Sequence, residues 1–160
     1  MILAYKGTSI WPSKMIEWMS WSEYSHIAWL CNNGRVIEAW PPKVRVTKNL
    51  HDGHTKGTPV DVFSLNITQK ERQAVENFLL SKVDLPYDWE SVFRFLPRRQ
   101  ESARSKEKWF CSELVFMALA QVGIHLLYRV EPYQVTPGMI VHSPLLEYEK
   151  TFIVGEETNV

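Results

Sequence analysis

The stretch "SHIAWLCNNGRVIEAWPP" (25–42) constrains the fold of this chain more than any other. Two runs rich in β-branched and aromatic residues flank Asn32-Asn33-Gly34, a turn sequence, and Pro41-Pro42 ends the second run. This reads as an antiparallel hairpin, and the loop length then decides which side chains share a face. With a three-residue loop Cys31 pairs with Arg35, Ala28 faces Glu38, and His26 becomes the diagonal neighbour of Glu38 on one side of the sheet. A two-residue turn at Asn33-Gly34 puts His26 and Glu38 on opposite faces.

Around the hairpin the chain mixes strand and helix signals. "MILAY" (1–5), "KVRV" (43–46), "PVDVFSL" (59–65) and "TFIV" (151–154) read as short strands. "SKMIEWMSW" (13–21) carries Met15, Trp18 and Met19 at helical spacing. Thr68 and Glu71 form a Thr-x-x-Glu capping box, and the helix it opens is expected to bury Val75, Phe78, Leu79 and Val83. Asp88 is placed to cap a short helix at 89–96, which Pro97 stops. A further apolar helix starts at Cys111 and ends before Gly123. The expectation is an α+β domain spanning 1–160, a small, largely antiparallel sheet packed against three or four helices.

Composition removes several function classes. Lys plus Arg (18) equals Asp plus Glu (18), so the chain has no general electrostatic attraction to nucleic acid or anionic lipid. Two cysteines make no disulfide framework, and no close Cys/His set has zinc spacing. The first residues lack a basic and then apolar export signal, and no apolar run reaches the roughly 18 residues of a membrane span. A cytoplasmic protein is expected, or one released by lysis if phage-borne.

Cys111 stands at the first turn of its helix. Free N–H groups and the macrodipole there favour a thiolate and can hold an oxyanion. The residue also lies on the stripe of Val115, Ala118 and Val122, so an inert core thiol is the competing reading. A nucleophilic thiol needs a base, and the base needs an orienting partner. His26, fixed at the start of the hairpin, and Glu38, a carboxylate between Ile37 and Ala39, suit those roles; a half-exposed strand histidine and a carboxylate turned to water from a sheet edge are the competing readings. As read from the sequence, catalysis requires His26 to project from the sheet face that helix 111–122 covers. His51 and His54 lie in the polar loop "LHDGHTKGT" (50–58), where no third metal ligand is evident, and the loop reads as solvated.

Together, "YSHIAWL", "VIEAW", "PYDW" and "WFCSELVF" resemble the circularly permuted branch of the NlpC-like, papain-fold cysteine hydrolases, the YiiX/YebB-like proteins. The resemblance covers roughly residues 1–123. It implies Cys111 as nucleophile, His26 as base, Glu38 as the third polar residue and Tyr87 as an active-site tyrosine near the oxyanion. It implies thiol acyl transfer without metal or cofactor, on a cell-wall peptide or an acylated amino acid. Glu113 departs from the glycine of the unpermuted motif, and the insert 97–108 lengthens the step from Tyr87 to Cys111. Two alternatives stay open: an acyltransferase or phospholipase like the lecithin:retinol acyltransferase group, and a non-catalytic binding module on the same fold. Segment 97–108 holds Arg98, Arg99, Arg104, Lys106 and Lys108 against two acidic residues. It reads either as a lid for an anionic substrate or as an inert surface insertion.

Overall fold

The structure is a computed structural model, and it describes residues 1–7, 22–88 and 108–156. The helices expected at 13–21 and 89–96, and all of segment 97–108 except Lys108, lie outside the described residues.

Six strands form one antiparallel sheet: β1 (Ile2–Lys6), β2 (Tyr24–Leu30), β3 (Val36–Trp40), β4 (Lys43–Thr47), β5 (Pro59–Leu65) and β6 (Leu146–Ile153). Their order across the sheet is β4-β3-β2-β1-β5-β6. Three helices are described, α1 (Gln69–Leu80), α2 (Cys111–Ala120) and α3 (Pro137–Val141), with a 3-10 turn at Pro132–Gln134. The α+β expectation is met.

The hairpin closes as the three-residue loop requires. Cys31 N–H donates to Arg35 O at 2.9 Å, and Gly34 N–H donates to Cys31 O at 3.0 Å. Gly34 has φ +80°, the left-handed conformation that a turn followed by a bulge residue needs and that glycine adopts without strain. The register is Trp29↔Ile37 and Leu30↔Val36. That ladder ends there, so β2 and β3 separate toward His26 and Glu38.

Both faces of the central strands are covered. Ile27, Trp29, Ile37 and Ala39 pack with Leu114, Val115 and Ala118 of α2. Leu3, Tyr5, Ala28, Val36, Val60, Val62 and Val154 make a second apolar layer on the other face. Burial on two sides explains why "HIAWL" lacks the alternation of a half-exposed strand. Removing each of the larger apolar side chains from water contributes roughly 1.5–3 kcal/mol, so register here is strongly fixed.

The capping box is present: Glu71 N–H donates to Thr68 Oγ1 at 3.2 Å and Thr68 N–H donates to Glu71 Oε2 at 2.7 Å. Val75 and Leu79 are buried, while Phe78 and Val83 pack partly buried against the same core. Gly123 has φ +80°, and Ile124 N–H returns to Leu119 O at 3.1 Å, closing the end of α2. Among the described residues no helix is long and apolar enough to cross a membrane.

Candidate active site

Glu38 has no exposed surface, yet it carries a carboxylate in the middle of a sheet. An ion in that position is costly unless its oxygens are fully engaged. They are. His26 Nε2 lies 2.7 Å from Oε2, and His54 Nε2 lies 3.0 Å from the same oxygen. Arg45 donates Nε to Oε1 at 2.8 Å and brings Nη2 to 2.7 Å of it. Arg45 comes from β4, directly opposite Glu38 in the ladder.

Burial pushes the Glu38 carboxyl up, but the hydrogen bonds of His26 and His54 outweigh it and hold the group well below the usual carboxylate range. Burial in turn lowers His26 below its ordinary value, against the pull of Glu38. The resting pair is therefore an ionised carboxylate beside a neutral imidazole. An ionised carboxylate only accepts hydrogen bonds, so His26 carries its proton on Nε2 and leaves Nδ1 as the basic nitrogen.

From its sequence, the loop that carries His54 reads as solvated. The structure corrects that: its side chain is 4% exposed and stands on the buried carboxylate. Its ring stacks on Tyr5 at 4.0 Å and meets Trp40 edge-on at 4.7 Å. Gly53, with φ +81°, allows the approach, because a Cβ there would lie 2.7 Å from Arg45 Nη2. His51 goes elsewhere, accepting from Gly155 N–H through Nδ1. The loop's glycines were legible in sequence, but its tertiary path was not.

The requirement that His26 project from the sheet face covered by α2 is not met, so a hydrolase reading must rest on a different approach of Cys111 to His26. Its ring lies against Tyr5, Trp40 and His54. Tyr5 belongs to the apolar layer opposite the helix. Strand alternation dictates this, since Ile27 and Trp29 take the helix side. Cys111 nevertheless reaches the same part of β2 by another route. Cys31 N–H points at β3, so by the period of two the N–H groups of Trp29 and Ile27 do as well. The ladder stops at Trp29, and the Ile27 N–H faces the Cys111 sulfur instead. The thiol thus sits where β2 and β3 part, beside the residue that follows His26.

Burial pushes the Cys111 thiol up to about 12, opposed by the backbone N–H groups of Ile27, Ser112 and Cys111 itself and reinforced by the charge of Glu38. At rest it is a neutral thiol. The N-cap of α2 is Phe110, and no side chain caps the first turn. Ser112 is anchored by its Oγ to Val135 O, which fixes that turn. Tyr87 is brought close: it forms a bridge with Trp109, its ring lies 6.0 Å from Phe110, and the charges of Cys111 and Asp88 add to burial in raising its phenol well above the ordinary value. Cys31 lies at the far end of β2, where burial raises its thiol to about 11; both cysteines are unbridged.

The cluster also suits a metal ion. His26 Nε2, Glu38 Oε2 and His54 Nε2 all lie within 4.8 Å of one another. Two imidazoles and a carboxylate are a donor set for zinc and similar transition ions. Arg45 occupies Oε1 and leaves Oε2 to a cation, so these residues fit such a group.

No protein-family model matches this chain, and no curated protein matches it. Among solved structures it is similar to the metalloprotein yiiX from Escherichia coli O157:H7, a DUF1105 protein, at 17% identity and a TM-score of 0.72, over 95% of this chain and 96% of the other. At that identity the likeness shows a shared fold.

Proposed function

We propose that this chain is a cysteine hydrolase, a permuted NlpC-like enzyme that cleaves an amide through Cys111, His26 and Glu38. The observation that carries the reading is the 2.7 Å contact from His26 to a wholly buried carboxylate, one residue away from the N–H that faces the Cys111 sulfur. Burying an ion pair of this kind stabilises a fold little or not at all. It does fix an imidazole in one tautomer, which general-base chemistry requires.

In this reading the Cys111 thiol gives its proton to His26 Nδ1 as sulfur attacks the carbonyl carbon. The carbonyl oxygen becomes an oxyanion held by the uncapped N–H groups at the start of α2, with the Tyr87 hydroxyl as a further donor. His26 passes the proton to the leaving amine as the C–N bond breaks, leaving a thioester. It then takes a proton from water, which attacks the thioester and releases the acid and the thiol. Glu38 accepts from Nε2–H throughout and stabilises the transient imidazolium. Small peptides of the cell wall and N-acyl amino acids are the substrate classes proposed. The yiiX structure is that of a metalloprotein. In this chain an ion would be held by His26, Glu38 and His54 and would supply Lewis acidity, which the thiol route does not use.

Two measurements test this. Iodoacetamide should modify Cys111 rapidly in the wild type and slowly in His26→Ala. Mass spectrometry of products from muropeptides, N-acyl amino acids and phospholipids should show hydrolysis in the wild type and none in Cys111→Ala. Transfer of an acyl group to an acceptor amine or alcohol, without hydrolysis, would favour the acyltransferase class. Equal iodoacetamide rates with and without His26 would favour a binding module.

A further inference from the structure

We propose that His26, Glu38 and His54 form a divalent transition-metal site, and that an ion bound there withdraws His26 from Cys111, so that metal binding and thiol chemistry exclude one another. The exclusion rests on the hydrolase reading above; the metal site rests on geometry alone.

The geometry begins with His54. Orienting His26 takes one carboxylate, and Glu38 supplies it. A second imidazole on the same oxygen adds nothing to that task. Yet His54 is carried there by a loop with a left-handed glycine and is held by ring contacts with both Tyr5 and Trp40. Its Nε2, the His26 Nε2 and Glu38 Oε2 converge on one point, all within 4.8 Å. Donors about 2.1 Å from a tetrahedral zinc ion stand roughly 3.4 Å apart. The nitrogens now lie 2.7 and 3.0 Å from the oxygen, so each contact needs to open by only several tenths of an ångström. Arg45, on Oε1, becomes the outer-shell partner that orients the carboxylate. Its charge lies on the far oxygen.

The exclusion follows from counting protons. A neutral imidazole has one N–H. Without metal it sits on Nε2, hydrogen-bonded to Glu38, and Nδ1 is basic. An ion takes the lone pair of Nε2, so the proton must reside on Nδ1. That nitrogen can then no longer accept the proton of Cys111. No oxidant or other reactant is involved; a proton changes nitrogen and a coordinate bond forms. Cys111 itself is not among the converging donors.

The test uses the full chain as wild type, Cys111→Ser, His54→Ala and His54→Gln. Zn²⁺ is titrated by calorimetry, and Co²⁺ by its visible absorption. One ion per chain is expected, with Cys111→Ser binding as the wild type does and no sulfur-to-cobalt charge-transfer band. Both His54 variants should bind at least about 100-fold more weakly, beyond the roughly 10–100-fold of an outer-shell loss. Circular dichroism checks that each is folded. Saturating Zn²⁺ should slow iodoacetamide modification of Cys111 at least tenfold in the wild type and leave the rate of His54→Ala unchanged. Affinity that survives both His54 substitutions, or a cobalt–thiolate band, would overturn the site. Unslowed alkylation at full zinc occupancy would overturn the exclusion. Slow alkylation of Cys111 in metal-free wild type would strike the hydrolase reading and the exclusion with it, while the titrations would still decide the metal site.

Discussion

Replacing Glu38 by glutamine separates its role in stability from its role in chemistry. The carboxylate accepts from His26 and His54 on Oε2 and from Arg45 on Oε1, and none of it is exposed. In Glu38→Ala these partners lose their acceptor. Arg45 keeps a side chain 28% exposed and regains part of its hydration, and His26 is already neutral. The cost should therefore fall at the low end of the range for a broken buried pair, about 3 kcal/mol. For a chain of this size that lowers Tm by roughly 6–12 °C. Glu38→Gln differs. The amide oxygen still accepts from Arg45. The amide nitrogen has two N–H groups, one for each imidazole, provided both imidazoles move their proton to Nδ1. Hydrogen bonding is then satisfied, and the loss should be about 1 kcal/mol. The tautomer, however, is now wrong for a base at Nδ1. Iodoacetamide modification of Cys111 and substrate turnover should both fall by roughly 10²–10⁴, the usual contribution of a general base. Urea unfolding and alkylation followed by mass spectrometry measure the two effects on one preparation. A folded Glu38→Gln protein that alkylates within about twofold of wild type would refute the tautomer argument.

Other outcomes follow from the same geometry. At neutral pH Cys111 should alkylate faster than Cys31 despite the higher resting value of its thiol, because the proposed mechanism gives it His26 as base while the Glu76 carboxylate beside Cys31 holds that thiol up; equal rates by peptide mapping would contradict this. Both thiols are raised in the folded chain, so the stability they contribute is fully present below about 9 and is lost as pH rises toward 12. For Cys111 the shift from 9.0 to about 12 corresponds to at most ~4 kcal/mol, and Cys111→Ala should flatten the pH dependence of unfolding free energy across that window. Gly53→Ala should cost more than about 1 kcal/mol, since φ is +81° and the added methyl meets Arg45, and it should slow turnover by displacing Arg45 and His54; unchanged urea midpoint and turnover would remove the loop from the site.

How much of this was legible in the sequence depends on which interaction sets each feature. Asn32-Asn33-Gly34 marked the hairpin but left two registers open; the bond from Cys31 N–H to Arg35 O selects the three-residue loop, and that parity puts His26 and Glu38 on one face. The capping box of Thr68 and Glu71 was equally local. Strand β6 was read only at 151–154, yet it runs Leu146–Ile153. It is a largely exposed edge strand tied to β5 by backbone bonds, so its side chains carry little apolar pattern. Helix α3 is five residues long, too short to show a period in a proline-punctuated tail; Thr136 Oγ1 caps it, accepting from Met139 N–H at 3.2 Å. The position of His54 depends on a loop path that no periodicity encodes.

The orientation of His26 shows the limit most clearly, and it bears on function. Parity says which way a side chain points, but not where a ladder ends. Had β2 and β3 remained paired past Trp29 and Ile37, Ile27 N–H would have bonded to the Ala39 carbonyl, and the sheet would have stood between His26 and α2. Because the ladder ends, that donor faces the sulfur of Cys111 from within the plane of the sheet. An unpaired backbone N–H in a sheet interior costs about 1–3 kcal/mol if nothing accepts from it. A thiolate would be a much better acceptor for it than the resting thiol. The break in pairing is thus least costly when Cys111 is ionised, which is the state that attack on a carbonyl requires. Substituting Ala39, or Ile27 itself, should leave this donor in place, since it belongs to the backbone. Replacing Cys111 with valine should strand it. Amide hydrogen exchange at Ile27 reports on this directly: protection there should drop in Cys111→Val while Trp29 keeps its own. Equal protection at Ile27 in both proteins would mean that the strand donor is satisfied without the thiol.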